Sequence, residues 1–275
     1  MKLFNKVAII GMGLIGGSLA LAIKKKGLAR EIVGVSRHKK SWLLAKRKGA
    51  IDKGSQELFT IRGADLVVLA TPVNVILKLA PRVRQFVDRD SIVTDVGSTK
   101  EEIVKNLEEI FPNFVGSHPL AGSEKRSIQN AQADLFKNSL VLLTPTKKTN
   151  RKAFKTINLL WRSVGARTEI LSPQIHDKIL GFVSHLAHIA AFSLIGVIPK
   201  KYLKFASTGL KDTTRIAASD SELWAEIFLS NRANILRAIE SLQGNIGRIK
   251  LAIKNRDKKK LSLILKEARA KREIF

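Results

Sequence analysis

The chain has 275 residues, no cysteine, and 49 Lys and Arg against 23 Asp and Glu, for a formal net charge of +26. Disulfides, thiolate metal sites and cysteine nucleophiles are thereby excluded, and the length suits about two domains at the usual ~100–200 residues each. The positive charge runs along the whole chain and aromatic residues make up only 6% of it, so solvated lysine faces account for it better than a nucleic-acid site with stacking platforms. A basic surface of this kind also attracts small anions.

The first apolar run, 7–23, follows Lys2 and Lys6 as a secretory leader would, but Gly11, Gly13, Gly16 and Gly17 suit a strand, turn and helix instead. A cytoplasmic protein without leader or membrane span is expected. Beyond this run, short apolar stretches alternate with helical patterns. Strands are predicted at 7–10, 32–35, 66–70, 92–94, 114–115, 140–143 and 168–171, and helices at 14–26, 41–48, 73–86, 100–110 and 151–164. That alternation is the pattern of a doubly wound, mostly parallel α/β sheet, and near-continuous apolar strands such as 66–70 suit a sheet buried on both faces. Strand signals almost vanish after Leu171. Ser172-Pro173 reads as a junction between a dinucleotide-binding domain, 1–171, and an all-helical domain, 172–275. In the latter, Ile235, Ile239, Leu242, Ile246, Ile249 and Ile253 recur in steps of four and three, marking one face of a long helix over 231–256. Such a stripe serves as core or as a subunit seam.

Gly11-Met12-Gly13-Leu14-Ile15-Gly16 follows a predicted strand and opens a predicted helix, the setting that the Rossmann dinucleotide fingerprint requires. The first glycine allows the tight turn, the second admits the pyrophosphate, and the third lets helix and strand pack closely; helix N-terminal amides then hold the phosphates. Cofactor contacts are expected from Gly11, Gly13, Leu14, Ile15 and Gly16. Twenty residues beyond Gly16, where an NAD site usually carries Asp or Glu, stand Ser36 and Arg37. A carboxylate repels a 2′-phosphate whereas serine and arginine donate to it, so NADP is expected over NAD. Thr71 and Ser98 end two further strands at the same crevice and are expected on its nicotinamide side, although either residue type also serves as a helix cap.

One histidine, His118, follows the next predicted strand in Gly116-Ser117-His118-Pro119-Leu120-Ala121-Gly122-Ser123-Glu124-Lys125, read as a loop leading to a helix. The helical half adds Ser184-His185-Leu186-Ala187-His188, then Lys211-Asp212-Thr213-Thr214-Arg215-Ile216-Ala217, then Trp224. His185 and His188 lie one turn apart and, with His176-Asp177, invite a metal reading. The remaining carboxylates are not suitably spaced to close a ligand set, and no metal is expected.

With Gly-Leu-Ile-Gly-Gly-Ser at 13–18 and the segment 95–100, these motifs together resemble the prephenate and arogenate dehydrogenases of tyrosine biosynthesis over essentially the whole chain. The resemblance implies oxidative decarboxylation of a cyclohexadienol with hydride transfer to the cofactor. It implies that His118 takes the ring hydroxyl proton with help from Ser98, and an imidazole of ordinary pKa near 6.5 suits that role. It assigns Arg215 to a substrate carboxylate, with Asp212 orienting it, and puts His188, His185, Trp224 and Glu124 around the substrate. His188 leans the choice toward prephenate, with arogenate the alternative. A homodimer through the helical domain is expected, and the monofunctional form, with no fused mutase or regulatory domain, is expected as well. The rivals are another Rossmann-plus-helical oxidoreductase, of hydroxyacid dehydrogenase or pyrroline carboxylate reductase type, and a basic nucleic-acid-binding protein.

Overall fold

A computed structural model of the chain describes residues 2–121 and 127–274. Eight strands form one sheet: β1 (Phe4–Ile10), β2 (Ala29–Val35), β3 (Lys53–Ser55), β4 (Leu66–Leu69), β5 (Ile92–Asp95), β6 (Phe114–Pro119), β7 (Leu140–Thr144) and β8 (Arg167–Ile170). Their order is β3-β2-β1-β4-β5-β6-β7-β8, with every neighbouring pair parallel except β6 and β7. The chain reverses its winding between β1 and β4, so the crevice outside those two carboxyl ends is the topological switch point where ligands of such sheets bind.

Helices α1 (Leu14–Lys25), α2 (Lys39–Arg47), α3 (Val73–Arg84), α4 (Glu101–Ile110) and α5 (Arg151–Ser163) cover the sheet. Alternate residues of β1 feed two separate cores: Val7 and Ile9 pack with Leu19, Ile23 and Trp161, while Ala8 and Ile10 pack with Ile76, Ile103 and Leu107. Burial on both faces is the reason these strands read as unbroken apolar runs. One strand, β3, is absent from the sequence-based expectation, because Lys53-Gly54-Ser55 contains no apolar residue.

Past β8 the chain is helical. Ser172 caps α6 (Pro173–Leu180) by accepting from Ile175 N at 3.2 Å, with Pro173 at the first helical position where its missing N–H costs nothing. The predicted junction is thus a helix start. A π-turn, Gly181–His185, joins α6 to α7 (Leu186–Gly196), and α8 (Thr208–Thr214), α9 (Ser221–Ser230), α10 (Arg232–Lys254) and α11 (Lys258–Arg272) follow. The continuous helix Pro173–Gly196 contains an 18-residue window with a mean hydropathy of 1.7, long and apolar enough on composition to cross a bilayer. Its His176, Asp177, Leu180 and His185 are nevertheless buried within the protein, and its apolar residues Ile175, Ile179, Phe182 and Val183 stand exposed on the opposite side. On α10 the expected stripe begins in the core at Ile235 but is open by Ile246 and Ile253, 54% and 59% exposed, so this chain covers only its first part.

Candidate active site

At the carboxyl end of β1, Gly11 adopts a φ of +110°, which L side chains avoid, and a Cβ there would strike the Ala70 carbonyl after β4. A Cβ at Gly16 would strike the Gly11 carbonyl, so the third glycine of the fingerprint is what lets α1 seat against the turn. No side chain caps α1 and no acidic residue occupies its first turn, where Leu14 is buried and Ile15 half-buried. Its free N–H groups therefore open toward the crevice with nothing to repel a phosphate. Thr71, just beyond β4, holds a buried hydroxyl with no hydrogen-bond partner among the described residues. A buried hydroxyl of that kind at the switch point fits a polar atom of a bound dinucleotide.

Ser36 follows β2, its N–H bonded to the Ser55 carbonyl at 3.0 Å, and Arg37 lies exposed beside it. The Arg37 guanidinium reaches His38 Nε2 at 3.2 Å, and Gln56 holds the Arg37 carbonyl at 2.8 Å. The backbone of this loop is thereby fixed while its cationic head stays in solvent.

Beneath Ser98 lies a buried ion pair. Lys100 Nζ donates to Asp95 Oδ2 at 2.5 Å and to the Thr99 carbonyl at 3.0 Å, both ionic side chains being fully buried. Asp95 also accepts from Gly97 N at 2.8 Å and Ser117 N at 3.3 Å, which ties the turn after β5 to β6. Of the segment 95–100, then, Ser98 sits half-buried at the crevice while Asp95, Thr99 and Lys100 are interior groups that shape it.

His118 is not in a loop. It is the penultimate residue of β6, opposite Leu142 of β7 in the antiparallel pair, and only 9% exposed. The turn residues Gly116 and Pro119 masked the strand, since a proline is tolerated at a strand's end. The next described element is a short 3₁₀ turn, Ile128–Asn130, and Glu124 lies outside the described residues. His118 Nδ1 meets His176 Nε2 at 2.9 Å, and His176 Nδ1 donates to Asp177 Oδ1 at 2.7 Å. Burial, with the neighbouring His176, the Lys100 ammonium and His185 each disfavouring a further charge, holds His118 well below the ordinary histidine pKa. The expected pKa near 6.5 is therefore corrected downward, and His118 is a neutral imidazole with a lone pair to offer at neutral pH.

The helical half closes this crevice through carboxylates. Asp177 accepts from the N–H groups of Lys100 and Glu101 at 2.7 and 2.9 Å, and Glu226 of α9 accepts from Asn74 N, so two helical-domain side chains cap α4 and α3. His185 is buried, its Nδ1 accepting from Asn231 Nδ2 at 3.1 Å, and burial pushes its pKa down to about 4. His188 donates from Nδ1 to the Ser184 carbonyl at 3.1 Å and stacks on Trp224, ring centroids 3.4 Å apart. Burial and the nearby Arg215 guanidinium both lower its pKa. Trp224 meets His185 edge-on at 6.0 Å. The structure so brings His185, His188, Trp224 and Arg215 into one cluster, with Asp212 exposed on α8 one turn before Arg215. His176, Asp177 and Asn231 carry contacts in the site for which the sequence signal was only a His-Asp pair near a helix start.

Comparison with known proteins bears on the whole chain. Residues 19–170 match the family model described as prephenate dehydrogenase, nucleotide-binding domain, and residues 172–267 match prephenate dehydrogenase, dimerization domain. A prephenate dehydrogenase of Bacillus subtilis is 32% identical across 98% of this chain and 76% of its own length. A cyclohexadienyl dehydrogenase of Zymomonas mobilis is 34% identical, covering 94% of this chain and 91% of its own. Among solved structures, a prephenate dehydrogenase from Aquifex aeolicus in complex with hydroxyphenyl propionate and NAD+ is 36% identical with a TM-score of 0.94, covering 98% of each chain.

Proposed function

The chain belongs to the prephenate dehydrogenase family, and from that premise we propose that it converts prephenate to 4-hydroxyphenylpyruvate and carbon dioxide, with hydride transfer to NADP, in tyrosine biosynthesis. The observation that carries the reading is a buried, neutral His118 at the carboxyl end of the sheet, with its Nδ1 engaged by His176 Nε2 at 2.9 Å. The oxidised nicotinamide, when bound, supplies the hydride acceptor. Gly11, Gly13, Leu14, Ile15 and Gly16 hold its pyrophosphate, Thr71 and Ser98 its nicotinamide side, and Ser36 with Arg37 the 2′-phosphate.

His118 accepts the proton of the ring 4-hydroxyl, with Ser98 orienting that hydroxyl, as the carbon beneath it gives up hydride. General-base help of this sort is typically worth ~10²–10⁴ in rate. The ring carboxylate then leaves as carbon dioxide, its bonding electrons aromatise the ring, and the phenolate oxygen recovers the proton from His118. Arg215 grips a substrate carboxylate by paired, charge-assisted hydrogen bonds, with Asp212 orienting it. His188, stacked on Trp224, and His185, whose Nε2 carries the proton because Asn231 donates to Nδ1, complete the polar wall.

Residues 1–171 serve as the cofactor domain and 172–275 as the substrate and dimerisation domain of a cytoplasmic homodimer. The exposed apolar face of Ile175, Ile179, Phe182 and Val183, and the open part of the α10 stripe, are the surfaces that a second copy covers. One steady-state experiment tests the assignment: prephenate and arogenate, each with NADP and NAD. The highest kcat/KM is expected for prephenate with NADP. Turnover of neither substrate overturns the reading, a preference for arogenate moves the substrate assignment, and a preference for NAD refutes the role of Ser36 and Arg37.

A further inference from the structure

We propose that His176 is a positioning residue that locks His118 in the tautomer whose proton is on Nδ1, so that Nε2 presents its lone pair to the reacting hydroxyl. The inference rests on the reaction assigned above. It follows from counting protons along one chain of contacts. The Asp177 carboxylate only accepts, so the 2.7 Å contact with His176 Nδ1 requires the proton on that nitrogen. A neutral His176 then has its lone pair on Nε2. That atom stands 2.9 Å from His118 Nδ1, which must supply the proton between them.

Asp177 is itself held in place. Its two oxygens accept from Lys100 N and Glu101 N, and its backbone carbonyl accepts from Asn231 Nδ2 at 2.7 Å. The relay is thus anchored at the N-terminus of α4 and cannot turn to offer His176 a different atom. The charged and titratable groups around it are Lys100, Asp95, Asp177 and His185. Burial and Lys100 keep His176 neutral against the pull of Asp177, which preserves Nε2 as an acceptor. When His118 takes the hydroxyl proton it becomes an imidazolium with two N–H groups, and His176 Nε2 accepts from the inner one without any movement. A wrong tautomer at an enzymatic base costs up to ~10⁴ in rate where it has been isolated by substitution.

The test has two independent arms. In the first, ¹⁵N–¹H correlation spectra of the intact wild-type protein at neutral pH report which His118 nitrogen bears the proton, with His118→Asn used to assign the signal. Protonated Nδ1 is expected; protonated Nε2 overturns the proposal whether or not prephenate is turned over. In the second, His176→Leu removes the acceptor, and His176→Gln returns an amide oxygen close to the Nε2 position. His176→Leu is expected to lower kcat at least ~10²-fold with KM little changed and to shift the His118 proton toward Nε2, and His176→Gln to recover most of the loss. A folded His176→Leu with wild-type kcat overturns the proposal, as does a His176→Gln no better than Leu. The wild-type spectrum still decides if His176→Leu fails to fold. Absence of prephenate turnover in the wild type would instead refute the assigned reaction, leaving the tautomer measurement intact.

Discussion

Asp177 caps Lys100 across the boundary between sheet and helical bundle: its Oδ1 accepts from the Lys100 backbone N–H at 2.7 Å while the Lys100 side chain turns the other way to Asp95. One carboxylate from the second half of the chain thereby terminates α4, holds the turn that carries Ser98, and orients His176. Fold and site share a single set of hydrogen bonds here, so damage to one is damage to the other.

Replacing Asp177 with Ala removes both caps of α4 and the partner of His176 together. Hydrogen bonds to a charged group contribute ~1.5–3 kcal/mol each, and buried donors left without partners add to the loss. A destabilisation of at least ~2 kcal/mol is expected, which lowers Tm by about 4–8 °C in a protein of this size. Differential scanning calorimetry of the purified variant reads it directly, and an unchanged Tm would contradict the cap.

The strands and covering helices were legible in the sequence because burial on both faces leaves runs such as Leu66-Val67-Val68-Leu69 with no polar interruption. The fingerprint was legible for a similar reason, since the collisions at Gly11 and Gly16 leave no other residue tolerable there. What escaped were features made by distant partners. β3 is placed by the Trp42 ring, which packs where a Cβ on Gly54 would lie. The end of β6 is paired by β7, overriding turn signals at Gly116 and Pro119. The contact between His118 and His176 spans 58 positions, and no local pattern announces it. The depressed pKa of His118 has the same origin, because burial, His176, Lys100 and His185 produce it rather than any neighbour in sequence.

His118→Asn keeps a polar side chain of smaller volume but removes the proposed proton acceptor. Turnover is expected to drop by at least ~10²-fold, the lower end of general-base effects, while the affinity for NADP stays within a factor of about two. Stopped-flow turnover and fluorescence titration of the cofactor separate the two quantities. A variant with wild-type kcat removes His118 from the chemistry.

Ile179 and Val183 lie one turn apart on the exposed face of the helix Pro173–Gly196, 39% and 68% accessible. In a two-fold dimer each position counts twice, and a buried aliphatic side chain contributes ~1.5–3 kcal/mol. The double substitution Ile179→Glu and Val183→Glu is expected to weaken dimerisation at least ~10²-fold, a shift of about 2.7 kcal/mol. Sedimentation equilibrium measures it, and a variant that remains dimeric at the wild-type concentration would put the interface elsewhere.

Four histidines are held below the ordinary value by burial: His118, His176, His185 and His188, with His185 pushed down to about 4. In the unfolded chain each takes up a proton near pH 6.5, whereas the folded protein resists until the pH is lower. Between those values the unfolded state binds more protons, so stability is complete above about pH 6.5 and drains away as the pH falls toward 4. For His185 alone the loss across that window is on the order of 3 kcal/mol at 1.36 kcal/mol per pKa unit. Asp52 and Asp134, held below 3.8 by their lysine partners, lose their contribution only at lower pH and do not blur the window. Urea midpoints measured from pH 7.5 to 4.5 should therefore fall steadily, and His185→Asn should flatten the slope by removing one titrating group while leaving an amide oxygen near the Nδ1 position to meet Asn231. A midpoint independent of pH over that range would mean that these imidazoles are not buried in the neutral form, and the site would lose the base on which the proposed chemistry depends.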